Sequence, residues 1–196
     1  MIQCYITDRG ALNAGESLVG AISRNLARGP NWIQIRDKDL PAREIYELVH
    51  QALQCPNPRG VKIIVNSRVD VALAAGAAGA HLPAGSPPPE FWRRLTPIGF
   101  RIGVSCHSME EVRQAEQDGA DYVFFGPVFN PISKSSDRPA RGLGALSRAA
   151  MSVEIPVLAL GGITWDNMRA CISAGAAGVA GISLYQFPGR PVRISP

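Results

Sequence analysis

No apolar run in this 196-residue chain approaches the roughly 18 residues that a membrane-crossing helix needs, so a role within the bilayer is not expected. The opening Met-Ile-Gln-Cys-Tyr-Ile-Thr-Asp has neither the basic region nor the long apolar stretch of a secretory leader, and a cytosolic location is expected. Cysteine is scarce and scattered. Cys4, Cys55, Cys106 and Cys171 lie far apart with no paired metal spacing and read as small reduced hydrophobes. Strong charge of one sign is also missing. The formal net charge is +4, and basic residues are interspersed among acids with no stripe and no interleaved aromatics. A nucleic-acid partner is therefore not expected, whereas a small anionic substrate suits the mild positive balance. With no linker, low-complexity block or composition break, residues 1–196 read as one domain.

What is present is a repeated unit. Four times a helix-like segment ends at glycine and an apolar strand follows within a few residues, at Gly29, Gly76, Gly119 and Gly175. Glycine closes a helix cheaply in the left-handed conformation, and strands alternating with helices call for parallel βαβ units. The pattern predicts strands near 3–7, 32–36, 62–66, 80–82, 101–105, 122–126, 157–160 and 178–182. Helices are predicted at 17–27, 42–53, 69–75, 89–95, 109–117, 143–150 and 165–174. Eight strands at this length favour a compact α/β (β/α)8 TIM barrel over an open doubly wound sheet. Its last helix should be truncated, because Phe187-Pro188-Gly189-Arg190-Pro191 cannot continue one. Either that helix is a stub or a second copy of the chain covers the gap, so a homo-oligomer is possible.

The stretch Trp32–Lys38 carries the first chemical signal. Gln34, Arg36 and Lys38 are spaced two apart, so an extended chain would point all three one way, and an anionic ligand would satisfy them. A barrel gathers its site at the C-terminal strand ends. Those ends supply Thr7, Asp8, Arg36, Lys38, Asn66, Ser67, Ser86, Ser105, His107, Gly162, Ile182 and Ser183. The glycine-bearing ends Gly161-Gly162 and Gly181-Ile182-Ser183 suggest a phosphate cradle of backbone N–H groups; tight turns chosen for geometry are the competing reading. The long connection 127–142 suits a lid, with Ser133, Lys134, Arg138 and Arg141 in reach of a second anion, or else a solvated surface loop. His107 could shuttle a proton, His81 begins a buried-looking turn, and Cys106 is expected to be inert.

In order, these strand ends resemble the thiamine phosphate synthase family and its TenI-like relatives. The resemblance rests on Gln34-Ile-Arg36-Asp-Lys38, Val65-Asn66-Ser-Arg68-Val-Asp70, Gly103-Val-Ser105-Cys-His107, Gly126-Pro127-Val128-Phe129 with Ser133-Lys134, Gly161-Gly162-Ile163 and Gly181-Ile182-Ser183. It implies a transferase of thiamin biosynthesis that couples hydroxymethylpyrimidine diphosphate with hydroxyethylthiazole phosphate. It further implies that Gln34, Arg36, Lys38, Asn66, Ser105, Ser133 and Lys134 meet the diphosphate substrate, and that Gly162, Ile182 and Ser183 hold the thiazole phosphate. Family synthases hold Mg²⁺ with two aspartates where this chain has Ser67 and Ser86, so metal binding is expected to be weakened. Pro131 replaces an expected lid threonine. Leu82-Pro83 resembles the TenI-like branch, yet Pro127 stands where that branch carries its catalytic histidine. The alternatives are a thiazole tautomerase with a relocated acid–base group such as His107, or a non-catalytic thiazole phosphate binder.

Overall fold

The computed structural model describes residues 1–130 and 139–186. Eight strands, β1 (Ile2–Ile6), β2 (Trp32–Ile35), β3 (Lys62–Asn66), β4 (Gly79–Leu82), β5 (Arg101–Cys106), β6 (Tyr122–Phe125), β7 (Val157–Leu160) and β8 (Gly178–Gly181), pair in chain order, all parallel. The ring closes where β8 meets β1, from Ile2 opposite Gly178 to Tyr5 opposite Gly181. The helices are α1 (Leu18–Arg28), α2 (Ala42–Gln54), α3 (Val69–Ala75), α4 (Pro89–Arg93), α5 (Met109–Gln117), α6 (Gly142–Met151), α7 (Met168–Ser173) and α8 (Ser183–Gln186). The predicted barrel is therefore observed. Among the described residues no helix is long and apolar enough to cross a membrane.

Local signals account for the helices. In α1 the Ser17 hydroxyl accepts from Gly20 N at 3.1 Å, and burial falls on Leu18, Ala21, Ile22, Asn25 and Leu26, one stripe of a 3.6-residue period. The four glycines of the repeat all lie in the left-handed region, with φ of 83°, 75°, 85° and 98° at Gly29, Gly76, Gly119 and Gly175. In α5 the Ser108 hydroxyl caps by accepting from Glu111 N, and Glu110 and Glu111 stand in the first turn.

Two apolar layers hold the ring together. The outer one packs alternate strand residues such as Tyr5, Ile33, Ile35 and Val123 against the helices. The inner one fills the barrel with Cys4, Ile6, Trp32, Ile64, Tyr122, Phe124, Leu158 and Ala180. Large and small residues interlock there: a Cβ on Gly103 would lie 2.1 Å from the Tyr122 ring, and Trp32 stacks obliquely on Tyr122 at 4.6 Å between centroids. Truncating either aromatic should cost about 3–5 kcal/mol.

Boundaries shift for identifiable reasons. β2 stops at Ile35, one residue before the predicted end, because Arg36 N donates to the Thr7 hydroxyl at 2.9 Å. α7 starts at Met168 rather than Trp165. Thr164 N donates to Asn167 Oδ1 and Asn167 N to Thr164 Oγ1, holding those residues in a turn. β8 ends at Gly181 because the Ile182 carbonyl accepts from Tyr185 N and Gln186 N, opening the four-residue α8.

Candidate functional site

Because every strand runs the same way round a closed ring, residues that follow the strands share one mouth. Arg36, Lys38, Asn66, Ser105, His107, Gly162, Ile182 and Ser183 all lie at that end. Ser133, Lys134 and Arg138 lie outside the described residues.

Below the rim, β2 to β5 turn polar side chains inward. Trp32 belongs to the inner layer, so Gln34, two residues on, also points into the barrel, and it is 2% exposed. Its Nε2 donates to Asn66 Oδ1 at 2.8 Å, while its Oε1 is buried without a hydrogen-bond partner. Asn66 in turn donates from Nδ2 to the Ser67 hydroxyl at 2.8 Å. A buried amide oxygen left unpaired costs free energy, which a ligand donor would recover.

His81 completes this row. It stacks on Phe124 with ring centroids 4.1 Å apart, and its ring nitrogens meet the Ser105 hydroxyl (Nε2, 2.8 Å) and the Tyr122 hydroxyl (Nδ1, 3.3 Å). Burial, with the Arg36 charge adding to it, pushes the His81 pKa down to about 3, so the imidazole is neutral. Burial likewise keeps Tyr122 protonated. A neutral imidazole donates from one ring nitrogen and accepts at the other, so His81 accepts from one of these two hydroxyls, donates to the other, and holds Ser105 in place.

At the β1–β2 rim, Arg36 is fixed through its backbone. Thr7 Oγ1 accepts from Arg36 N and donates to Asp37 Oδ2 at 3.3 Å, and Arg9 Nε lies 3.6 Å from the other Asp37 oxygen. Asp37 is 8% exposed. Burial raises its pKa, and the Thr7 hydrogen bond and Arg9 oppose that rise. Asp8, Arg9, Arg36, Asp37, Lys38 and Asp39 surround a cavity of about 540 Å³. The expected row of three like-facing side chains holds only in part: β2 ends before Arg36, and Lys38 sits in a turn at the exposed rim.

Across the mouth the groups are backbone. Gly161 and Gly162 have φ of 93° and 64°. A Cβ on Gly162 would meet the Asn130 carbonyl oxygen at 2.5 Å, and one on Gly161 would meet Pro127 Cα at 2.6 Å. The pair is thus required by the close approach of the chain after β6, whatever else it binds. Asn167 Nδ2 donates to the Gly162 carbonyl at 2.9 Å and steadies the turn. Ile182 packs on the inner layer, and Ser183 starts α8.

His107 Nδ1 meets the Gly126 carbonyl at 2.5 Å, so Nδ1 carries a proton and the ring is held by the backbone after β6. Its backbone N–H donates to Glu111 at 2.5 Å. Burial raises the Cys106 pKa to about 12, in keeping with an inert thiol.

The donor set does not suit Mg²⁺. The Ser67 hydroxyl accepts from Asn66 and is neutral, and Ser86 lines a cavity whose carboxylates are Glu111 and Asp118; Glu111 is engaged by His107 N. Among the described residues no three His, Cys, Asp or Glu side chains gather to hold a metal ion.

Sequence reasoning passed over Asp37, which is hidden between Arg36 and Lys38 and marked only by its burial under Arg9. His81, expected at the start of a buried turn, lies within β4, and strand alternation from Gly79 places it inside the barrel.

Fold and mouth together define a parallel (β/α)8 barrel with its polar groups collected at the C-terminal rim. Residues 3–184 match the thiamine monophosphate synthase family. The "Putative thiamine-phosphate synthase 2" of Aquifex aeolicus is 39% identical over 180 residues, 92% of this chain and 95% of that protein. The thiamine-phosphate synthase of Roseiflexus castenholzii is 44% identical over 179 residues, 91% and 78% of the two chains. Among solved structures, the thiamine phosphate pyrophosphorylase of Pyrococcus furiosus superposes with a TM-score of 0.84 at 36% identity, covering 95% of this chain and 88% of that one. The chain belongs to the thiamine monophosphate synthase family.

Proposed function

We propose that residues 1–196 act as one barrel domain in the cytosol, joining hydroxymethylpyrimidine diphosphate to hydroxyethylthiazole phosphate with release of pyrophosphate. The observation that carries this reading is the unpaired Gln34 Oε1, buried in a polar row on the strand that Arg36 directly follows at the rim. A pyrimidine amino group would supply the missing donor, and its diphosphate would then extend toward the rim cations. Arg36 and Lys38, with Ser133 and Lys134 from the lid segment, stabilise charge growing on the departing pyrophosphate. The C–O bond to pyrophosphate breaks with its electron pair leaving on oxygen. The resulting pyrimidine-methyl cation is captured by the thiazole nitrogen lone pair, so no proton or external electron is needed. Asn66 and Ser105 orient the pyrimidine; Gly162, Ile182 and Ser183 hold the thiazole phosphate so that the nitrogen faces the cation. No step is assigned to a metal, because the donors at Ser67 and Ser86 do not fit one.

The test is product formation from the two substrates, with and without Mg²⁺. Turnover is expected, with weak dependence on Mg²⁺. Tight binding of thiazole phosphate with no product under either condition would instead identify a binder.

A further inference from the structure

The β8–α8 turn is a weak structure by itself. A four-residue helix has too few internal hydrogen bonds to hold Ile182 and Ser183 in place. It is pinned from behind by a buried polar seam centred on Gln186, which is fully buried. The Tyr5 hydroxyl donates to Gln186 Oε1 at 2.6 Å, Gln186 Nε2 donates to the Asp8 carbonyl at 3.0 Å, and Arg24 Nη2 donates to the Gln186 carbonyl at 2.9 Å. Asn25 Nδ2 adds a bond to the Tyr185 carbonyl at 3.2 Å. These bonds reach three separate elements: strand β1, the segment that follows it, and helix α1. Burial raises the Tyr5 pKa, so the phenol keeps the proton it donates.

The Asp8 contact has a second effect. Asp8 follows Thr7, whose hydroxyl holds both Arg36 N and Asp37. One side-chain amide thus spans from the α8 turn to the rim segment that fixes Arg36.

We propose that Gln186 is a positioning residue that sets Ile182 and Ser183 at the height of the thiazole phosphate and ties that turn to the Arg36 side of the mouth. This rests on the thiazole phosphate reading of the β8–α8 turn. A helix-end fastener with no bearing on ligands is the competing account, and it predicts a loss of stability alone.

Calorimetry separates them without requiring turnover. Dissociation constants for thiazole phosphate and for pyrimidine diphosphate are measured on the full chain and on Tyr5→Phe, Gln186→Met and Ser183→Ala, each with a thermal melt. Tyr5→Phe removes one hydroxyl and keeps the ring, so it stays testable even if Gln186→Met fails to fold. The expected result is five- to tenfold weaker thiazole phosphate binding in both variants, with pyrimidine diphosphate binding changed less than twofold in Tyr5→Phe, which keeps the Asp8 contact, and weakened two- to fourfold in Gln186→Met, which loses it. A lower melting temperature with both constants unmoved in these two variants overturns the positioning role while Ser183→Ala still weakens thiazole phosphate. If Ser183→Ala itself leaves thiazole phosphate binding unchanged, the reading of the turn fails, and the positioning role falls with it.

Discussion

Along β2 to β5 the barrel mouth offers side chains: the hydrogen-bonded pairs Gln34–Asn66 and His81–Ser105, and Arg36, whose backbone N–H is held by Thr7 beside Asp37. Along β7 and β8 it offers backbone, exposed by Gly161 and Gly162 and steadied from outside by the amides of Asn167 and Gln186. The first half is made of groups whose chemistry is visible in the residue type. In the second half the shape of the chain does the work, and the named side chains stand one step back from any ligand. A substitution in the first half should therefore act on ligands directly, whereas one in the second should act through folding or through placement.

Three variants sharpen this contrast. The largest effect is expected from Arg36→Ala. Its structural tie is through the backbone N–H, which the substitution keeps, so the fold should persist while kcat/KM falls on the order of 100- to 1,000-fold. A loss under threefold in steady-state assays would remove the side-chain half from the chemistry. Gly162→Ala comes next and should behave in the opposite way. A Cβ in the left-handed conformation against the Asn130 carbonyl should destabilise by about 2 kcal/mol. Thermal melting should then drop by roughly 4–8 °C. An unshifted melt would mean that the chain after β6 moves aside freely. The smallest effect belongs to Ser67→Asp combined with Ser86→Asp. Ser67 has φ 64°, a conformation aspartate tolerates better than most residues, so the backbone should accept the change. Titration should show Mg²⁺ binding on the order of tenfold tighter as carboxylates replace hydroxyls. No change in metal affinity would show that these two positions do not face a common ion.

The barrel was legible because its signals are local. Each glycine-closed helix needs only a few residues to announce itself, and β3, β7, α3 and α5 fall on the predicted limits. The site was legible in composition but less so in geometry. Nothing near Arg36 in the chain shows that Thr7, 29 residues earlier, takes its N–H and ends β2. Asp37 reads as one more rim charge until Arg9 and Thr7 are seen closing over it. The Gly161-Gly162 pair gave a signal with two causes: the sequence suggests a phosphate, whereas the structure adds a packing need against Pro127 and Asn130 that suffices for both glycines. The Gln186 seam had no sequence signature, since its partners Tyr5 and Asp8 stand at the far end of the chain.

The aromatic filling of the barrel has a consequence for traffic. Among the described residues, Trp32, Tyr122 and Phe124 fill the cylinder below Gln34, so its approach lies from the C-terminal mouth. Under the proposed reaction, both reactants and both products would share that doorway. Pyrophosphate lingering there would then bar the next diphosphate, and the order in which the two products depart would become part of how fast the protein works.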